Sequence, residues 1–494
     1  MKLLLPLAML MLGILPAQAS WHVAETPRVV VRSRMPPAEL ERLVADIEQF
    51  DALLRLMTGR SPTDTVPRAE IVIFDSIAEV RATTGILGFE GGIAAATPMG
   101  GVAYVAPNPN AGVPIRQILF HEYAHLFMLA HMGGIQPGWF MEGFASFFET
   151  ATPTADGAMS LGVNPNWQDY VRTHGVPPFQ RVMTLDARRV DGPPSPELYA
   201  LGWLMTHYYY FSDSRRTQIR TYLDLFARGA LPEDGSTQFI GGFAALNADL
   251  QGYAKSGLGA ARAVPVSAAA DGKPSLRPLR AGETELMLLM MHPAARASAK
   301  SDGAGAHIAR LEDLFGKLEL IAQQYPDEIE IGRVAAQVTV SSGDYDRLAS
   351  ALDGMLRTNP KHPTLLAAQG IALTGQAEAG TDADFANGIA RARRVIEQAL
   401  TIDPRNTLAL YAMYRNHRAD AGVTRAAIAY LARAQEIEPG VPFIQWSLID
   451  AYVRLGDRAP ARALLTRIAA NTHDPESSIH ARAILTRIGS AQPR

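Results

Sequence analysis

Two stretches of sequence decide the fold of the first half of this chain: His121-Glu122-Tyr123-Ala124-His125 and Trp139-Phe140-Met141-Glu142-Gly143-Phe144-Ala145. The first places two imidazoles one helical turn apart on one face, so their rings can converge on a single cation. The second supplies a carboxylate from the next predicted helix, after a turn rich in glycine and proline that lets this helix fold back alongside the first. We therefore predict that His121, His125 and Glu142 bind one Zn²⁺ per chain and leave its fourth position open.

Glu122 lies between the two histidines, about 100° around the predicted helix from His121. Zinc lowers the pKa of bound water to about 7, and a carboxylate at this position can act first as a general base and then as an acid for the leaving amine. The alternative is an amphipathic helix whose histidines are surface residues or satisfied core residues. This helix is apolar on nearly every side, and a charged Glu is costly there unless it has a partner or a function, which favours the metal site.

Residues 114–150 resemble the gluzincins, zinc peptidases of the peptidase-MA-like clan that includes the zinc aminopeptidases. The third-ligand helix of those enzymes reads Trp-Leu-x-Glu-Gly-Phe-Ala-Ser, and this chain has Trp139-Phe140-Met141-Glu142-Gly143-Phe144-Ala145-Ser146. The resemblance covers about residues 25–255 and implies an α+β zincin-like catalytic domain, with a small sheet and a helical active-site subdomain. It also implies that Tyr199, in the family's Tyr-x-x-Gly pattern, donates to the oxyanion, with ordinary aromatic packing as the alternative.

One segment departs from the aminopeptidase pattern. Those enzymes carry Gly-x-Met-Glu-Asn ahead of the zinc helix, and its Glu holds the free amine of the substrate. Residues 100–108 of this chain lack that Glu, so we expect an endopeptidase or, alternatively, a peptidase that recognises a chain end by a different device. The strand predicted over residues 101–106 is either a sheet edge that pairs with an extended substrate or an ordinary interior strand.

Three further polar residues lie near these motifs. His131 lies six residues beyond His125, on another face of the helix, and is not counted as a ligand. His207 stands in a tyrosine-rich run and is expected to pack in an aromatic cluster. Glu149 lies on the same helix face as Glu142. It is either a carboxylate that orients a ligand histidine or, as we prefer from the sequence, a solvated side chain.

The composition narrows the class of protein. Hydrophobic residues make up 48% of the 494 residues and charged residues 19%, which predicts packed globular domains. The net charge of −3 gives no basic excess to suggest nucleic acid, and the absence of cysteine excludes disulfides and thiolate ligands. Residues 1–19 read as a signal peptide cleaved after Ala17-Gln18-Ala19, which predicts a periplasmic or secreted protein with no stable membrane span after cleavage. The alternative, an uncleaved anchor, is disfavoured because the apolar run is too short.

The predicted domain order is residues 1–19 as signal peptide, 20–255 as catalytic domain, 256–283 as linker and 284–494 as a helical array. The linker prediction rests on weak periodicity in a segment rich in Ala, Gly and Pro. Strands are expected over 28–31, 69–74 and 101–106. Helices are expected over 37–57, 114–132, 138–150, 195–212, 214–228 and 238–254.

The C-terminal part repeats. Prolines 326, 360, 404, 439 and 475 close predicted helical units and are spaced by 34, 44, 35 and 36 residues. A helix-turn-helix unit of about 34 residues is the tetratricopeptide period, so we predict an all-α tetratricopeptide-like solenoid. The alternative is a generic helical bundle. The longest unit would carry about ten extra residues around positions 376–384.

Taken together, these patterns predict an exported zinc metallopeptidase whose helical array presents a concave surface to a protein partner. The substrate would be a protein or peptide. The main alternative is a tetratricopeptide-type scaffold or chaperone with little or no proteolysis, and a third class is hydrolysis of a non-protein amide such as a cell-wall peptide. Glu122 argues against the scaffold, because a purely structural zinc site fills all four positions and needs no base.

Overall fold

The computed structural model describes residues 20–63, 66, 68–86, 91–97, 100–110, 112–132, 136–183, 195–228, 235–256, 258–266, 273–291, 304–439, 441–469 and 475–490. The predicted signal peptide, residues 1–19, lies outside the described residues. Among the residues that are described, no helix combines the length and apolar character needed to cross a membrane.

A six-stranded mixed sheet forms the base of the first half. Its strands run in the order β4-β5-β3-β2-β1-β9, with β2, β3 and β5 parallel and the other neighbours antiparallel. The strands are β1 (His22–Glu25), β2 (Val29–Ser33), β3 (Ala69–Ile73), β4 (Gly92–Thr97), β5 (Gly100–Val105) and β9 (Ser275–Pro278). The predictions over 28–31, 69–74 and 101–106 correspond to β2, β3 and β5.

Both faces of the sheet are buried. Side chains alternate along each strand, so Ile71 and Ile73 join the main core while Val72 joins a second, smaller cluster. Helices α1 (Pro37–Thr58) and α3 (Ile115–His131) cover the main-core face, whereas α2 (Ile77–Thr84) covers the other. This arrangement places α3 directly against the sheet. We call α3 the zinc-motif helix, because it carries the sequence from His121 to His125 for which a zinc site is predicted.

A helical block follows α3, as the sequence predicts. It consists of α4 (Gly138–Phe148), α5 (Pro165–His174), α6 (Phe179–Met183), α7 (Pro196–Phe211), α8 (Arg216–Ala227), a 3-10 helix (Ser236–Gln238) and α9 (Gly242–Ser256). A second, three-stranded sheet flanks it, formed by β6 (Thr152–Pro153), β7 (Ala158–Leu161) and β8 (Arg262–Pro265). Every residue of α4 is buried, so this helix runs through the centre of the block.

The predicted linker, residues 256–283, needs correction. Strand β8 pairs with β7, and β9 pairs with β1 at the edge of the large sheet. The helix that follows, α10 (Ala281–Met291), places Met291 in the cluster with Trp21 and Phe74. The described part of this segment is therefore integral to the first half, which extends to α10.

The C-terminal part is an array of helical hairpins. It contains α11 (Ala304–Gln324), α12 (Glu330–Ser342), α13 (Tyr345–Thr358), α14 (Pro363–Ala379), α15 (Asp382–Ile402), α16 (Thr407–Ala421), α17 (Arg425–Ile437), α18 (Pro442–Leu455), α19 (Arg458–Ala469) and α20 (Pro475–Ser490). Each helix packs against the next along the chain, and α14 also packs against both α12 and α16. This stacking confirms the predicted helical repeat over the single-bundle alternative.

The turns of the array follow from local sequence. Gly343 and Gly456 end their helices with positive φ values of 83° and 79°, which glycine adopts without strain. Asp344 then caps the next helix by accepting a hydrogen bond from the backbone N–H of Arg347. The long unit gains its extra residues by extending α14 and α15 around the turn between Ala379 and Asp382, where the sequence places them.

Candidate metal centre

Three predicted ligands meet at one point between α3 and α4. His121 Nε2 lies 3.2 Å from His125 Nε2 and 3.3 Å from Glu142 Oε2. His125 Nε2 lies 3.6 Å from the same Glu142 oxygen. Two nitrogens and one carboxylate oxygen therefore form a nearly equilateral triangle, contributed by two helices that are consecutive in the chain.

This triangle fits a tetrahedral zinc ion. Zinc–nitrogen and zinc–oxygen bonds of about 2.0–2.1 Å at tetrahedral angles require neighbouring donor atoms to lie roughly 3.3 Å apart. The three separations are 3.2, 3.3 and 3.6 Å. Glu142 keeps only 4% of its side chain exposed and His121 keeps 16%, so the triangle is most open on the His121 side.

Glu149 contacts His121, one of the three predicted ligands, which corrects our preference for a solvated side chain. Its Oε2 lies 2.7 Å from His121 Nδ1, and its Oε1 accepts hydrogen bonds from Asn164 Nδ2 at 2.7 Å and Gln117 Nε2 at 3.1 Å. Asn164 is fully buried and also donates to the Ser146 carbonyl. The Nδ1 contact to a carboxylate holds the ring with Nε2 directed at the other ligands.

The electrostatics of His121 favour a positive charge at this place. Burial alone would lower the pKa of the imidazole, but hydrogen bonds that its ring N–H groups donate to Glu142 and Glu149 raise that pKa well above its ordinary value. Two carboxylates therefore surround a ring that prefers to be cationic. A divalent cation on Nε2 would satisfy the same carboxylates.

Glu122 lies next to the ligands and against the edge strand β4. It is buried, with 7% of its surface exposed. A Cβ added at Gly92 would come within 2.4 Å of Glu122 Oε1 and 2.7 Å of its Cγ. Only glycine at position 92 therefore leaves room for this carboxylate between α3 and β4, a requirement that the sequence did not reveal.

Tyr199 lies on α7, beside the ligand helices. Its ring centroid is 6.3 Å from that of His121, and the Trp167 ring stacks on it with centroids 5.6 Å apart. Helix α7 reaches this position because Gly143 and Gly202 touch. A Cβ on Gly143 would lie 2.2 Å from the Gly202 carbonyl oxygen. Because both residues are glycine, the backbones of α4 and α7 can come into direct contact. Gly143 follows Glu142 in the sequence, and Gly202 is the glycine of the Tyr-x-x-Gly pattern.

Other residues near the two motifs lie outside the group of three predicted ligands. His131 contacts Arg55 on α1 and lies outside the group formed by His121, His125 and Glu142. His207 packs against Phe147, Trp203 and Phe211, which confirms the predicted aromatic cluster. The strand over 101–106 is the interior strand β5, so the sheet edge beside α3 is β4 instead.

Comparisons with known proteins give little further identification. No protein-family model matches this chain, and no curated protein matches it. Two similar solved structures are those of TTC0263, a thermophilic TPR protein in Thermus thermophilus, and of the MamA RS-1 ArsTM double mutant. The first is 14% identical, with a TM-score of 0.33, and covers 43% of this chain and 100% of that chain. The second is 18% identical, with a TM-score of 0.24, and covers 34% and 88%. Both likenesses are weak, and the packing of its own helices is what identifies the array as a repeat.

Proposed function

We propose that this protein is a zinc-dependent peptidase, with the gluzincin-like domain that the sequence resembles. The observation that carries the proposal is the triangle of His121 Nε2, His125 Nε2 and Glu142 Oε2, with no separation above 3.6 Å. Glu122 adds a buried carboxylate on the same helix as two of these donors. A structural metal site would have no use for that group.

The roles of the residues follow from their positions. Zinc held by His121, His125 and Glu142 would supply a Lewis acid that polarises the scissile carbonyl and makes water more acidic. Glu122 accepts a proton from the attacking water and returns it to the leaving amine. The Tyr199 hydroxyl donates a hydrogen bond to the oxyanion, as the resemblance implies.

The edge strand β4 offers a place for the substrate backbone. It begins at Gly92, beside Glu122, and ends the strand order of the large sheet in the described part of the chain. An extended peptide that adds to this edge would pass the carboxylate with its own amide groups paired to β4. This arrangement suits cleavage within a chain, because it requires no free amine at the site.

A second candidate function is protein binding by the helical array, with little or no proteolysis. Stacked helical hairpins present a continuous concave surface, and arrays of this kind commonly bind proteins. Of the two candidates, this one is closer to what the comparisons indicate. In the combined proposal the array holds a protein partner near the metal centre, outside the cytoplasm if residues 1–19 act as a signal peptide.

The decisive experiment measures zinc and hydrolysis together on residues 20–494. We expect about one zinc per chain, loss of zinc in Glu142→Ala, and cleavage of casein or of cell-wall peptides by the wild type. Glu122→Gln should keep its zinc and lose roughly 100-fold or more of the hydrolysis. Full hydrolysis by Glu122→Gln would contradict the mechanism. Zinc binding without hydrolysis of either substrate would favour the protein-binding candidate.

A further inference from the structure

A buried ion pair lies on α1, behind the zinc-motif helix. Asp51 and Arg55 are one turn apart, with 1% and 3% of their surfaces exposed. Arg55 Nε donates to Asp51 Oδ2 at 2.6 Å, and Arg28 Nε lies 3.4 Å from the same oxygen. The proposed reaction uses neither residue. Burying such a pair carries a large desolvation cost, so its contacts need an explanation.

The pair reaches α3 at two separate points. The Tyr123 hydroxyl donates to Asp51 Oδ1 at 2.9 Å. Arg55 Nη2 lies 3.2 Å from His131 Nε2, in the last turn of α3. Both partners on α3 are buried. One side-chain pair on α1 therefore contacts the zinc-motif helix both inside the motif and at its C-terminal end.

The first contact lies on the face of α3 away from the metal ligands. Tyr123 is two residues from His121 and two from His125, hence about 200° around the helix from each. A hydrogen bond at this position resists rotation of α3 about its own axis. The contact at His131, about two turns further along, resists movement of α3 along its axis. Together the two contacts define how the ligand face meets α4.

Small movements of α3 matter to the ligands. A histidine ring nitrogen lies several Å outside the helix radius of about 2.3 Å, so a rotation of about 10° displaces it by roughly 1 Å. Functional sites require their groups within about 0.5 Å of the productive position. Apolar contacts such as the Phe50–Phe120 stack, with centroids 4.0 Å apart, add attraction between α1 and α3. Hydrogen bonds restrict orientation more sharply than such stacking does.

We propose that Asp51 and Arg55 are positioning residues for the metal centre, and that through Tyr123 and His131 they fix the rotation and the axial position of α3. This inference rests on the proposed metal site. It assigns to the Tyr of the His-Glu-Tyr-Ala-His motif a task separate from ligand binding and catalysis.

The test compares Tyr123→Phe and Asp51→Asn with Asp46→Asn. Asp46 is also on α1 and pairs with Arg116 on α3, but that ion pair is 3.7 Å long and partly exposed. The readouts are the rate at which bound zinc is lost to a chelator and the visible absorption spectrum of the Co²⁺-loaded protein. Both report on the ligand geometry and require no substrate.

Tyr123→Phe removes one oxygen and leaves Asp51 with Arg55 and Arg28, so the protein should fold. We expect it to lose metal roughly 10-fold faster, the lower end of the effect of removing partners of metal ligands, and to shift the Co²⁺ spectrum. Asp51→Asn should show a larger effect, and Asp46→Asn should match the wild type.

A wild-type rate and spectrum in Tyr123→Phe would overturn the inference even if the protein proves to be a peptidase. A wild type that binds no metal would overturn the proposed function and this inference together, whereas a protein that binds metal without hydrolysis still tests the inference.

Discussion

At the scale of single residues, the contacts of Glu149 suit a residue that orients His121, one of the proposed metal ligands. Its carboxylate lies 2.7 Å from His121 Nδ1 and also accepts from Asn164 and Gln117. We predict that Glu149→Ala lowers zinc affinity by about 10–100-fold, the usual effect of removing such a partner. Competition with a zinc chelator measures it. Asp169→Ala serves as the control, because that carboxylate is largely exposed and pairs only with Arg172 in the described contacts. Equal zinc affinity in both variants would mean that Glu149 does not orient His121.

His207 provides a second prediction at this scale, on stability against pH. Burial, with a smaller effect of the positive charge of Arg262, lowers the pKa of this imidazole to about 4. The unfolded chain has the ordinary histidine pKa of about 6.5. Since the unfolded state then binds more protons between these values, stability is fully present above pH 6.5 and falls as the pH drops towards 4.

The size of this effect follows from the pKa difference. A shift of about 2.5 units corresponds to roughly 3 kcal/mol as an upper bound. Urea unfolding at pH 7 and pH 4.5 should therefore show a smaller loss of stability in His207→Phe than in the wild type. His174 is exposed, and His174→Phe should leave the pH dependence unchanged. A His207→Phe protein with the same acid sensitivity as the wild type would show that other groups cause it.

At the scale of elements, the contact between α4 and α7 couples Glu142 to Tyr199. A Cβ on Gly143 would lie 2.2 Å from the Gly202 carbonyl oxygen, and a backbone atom cannot move aside as a side chain can. We predict that Gly143→Ala forces the helices apart, costs roughly 1–3 kcal/mol of stability and lowers zinc affinity, because Glu142 moves with its helix.

Gly252 supplies the matched control for this prediction. It also lies within a helix, α9, and a Cβ there would meet nothing within 4 Å. Gly252→Ala should be neutral or slightly stabilising, since alanine reduces the freedom of the unfolded chain. Thermal melting compares the stability of the two variants, and competition with a chelator compares their zinc affinity. If Gly143→Ala also melts and binds zinc as the wild type does, the close approach of α4 and α7 is not needed for the site.

The elements that could be predicted from the sequence are those whose signals are local. Helix α1 carries a clear apolar period and ends at Gly59 with φ of 69°. The predicted ligands on α3 and α4 follow from spacing within one helix or between two consecutive helices. Strand β4 could not be predicted from the sequence, because Gly-Ile-Ala-Ala-Ala-Thr has little β-propensity. The sequence favours a solvated Glu149 over the contact with His121 that the structure shows, because helical periodicity gives the face of a side chain and not its partner.

At the scale of the whole molecule, the division into parts depends on pairings between distant segments. Strand β9 pairs with β1 across about 250 residues. The local sequence Ser275-Leu-Arg-Pro278 contains no pattern from which this pairing could be predicted. Helix α10 then joins the two halves. Met287 and Met291 pack with the sheet cluster, whereas Leu286 belongs to the core of the array. Arg280 and Glu328 form an ion pair of 2.9 Å across the same junction.

This organisation predicts where the chain can be cut. A protein of residues 20–255 ends at the boundary expected from the sequence but lacks β8 and β9, so the edge of β1 is exposed and β7 loses its partner. A protein of residues 20–291 keeps both strands and the Met291 contacts with Trp21 and Phe74. We expect the longer protein to melt cooperatively and to bind zinc, and the shorter one to aggregate or to melt at a clearly lower temperature, because an unpaired sheet edge is both unstable and prone to association.

Circular dichroism measures the melting temperatures of the two proteins, and size-exclusion chromatography measures their aggregation. The control is the longer protein with Leu286→Ser, which removes an apolar side chain that would otherwise face the missing array. If aggregation of the longer protein arises only from that newly exposed surface, the substitution should reduce it without changing the melting temperature. Equal melting temperatures and zinc binding for residues 20–255 and 20–291 would mean that the sheet does not depend on β8 and β9, and the linker predicted from composition would then be the true boundary.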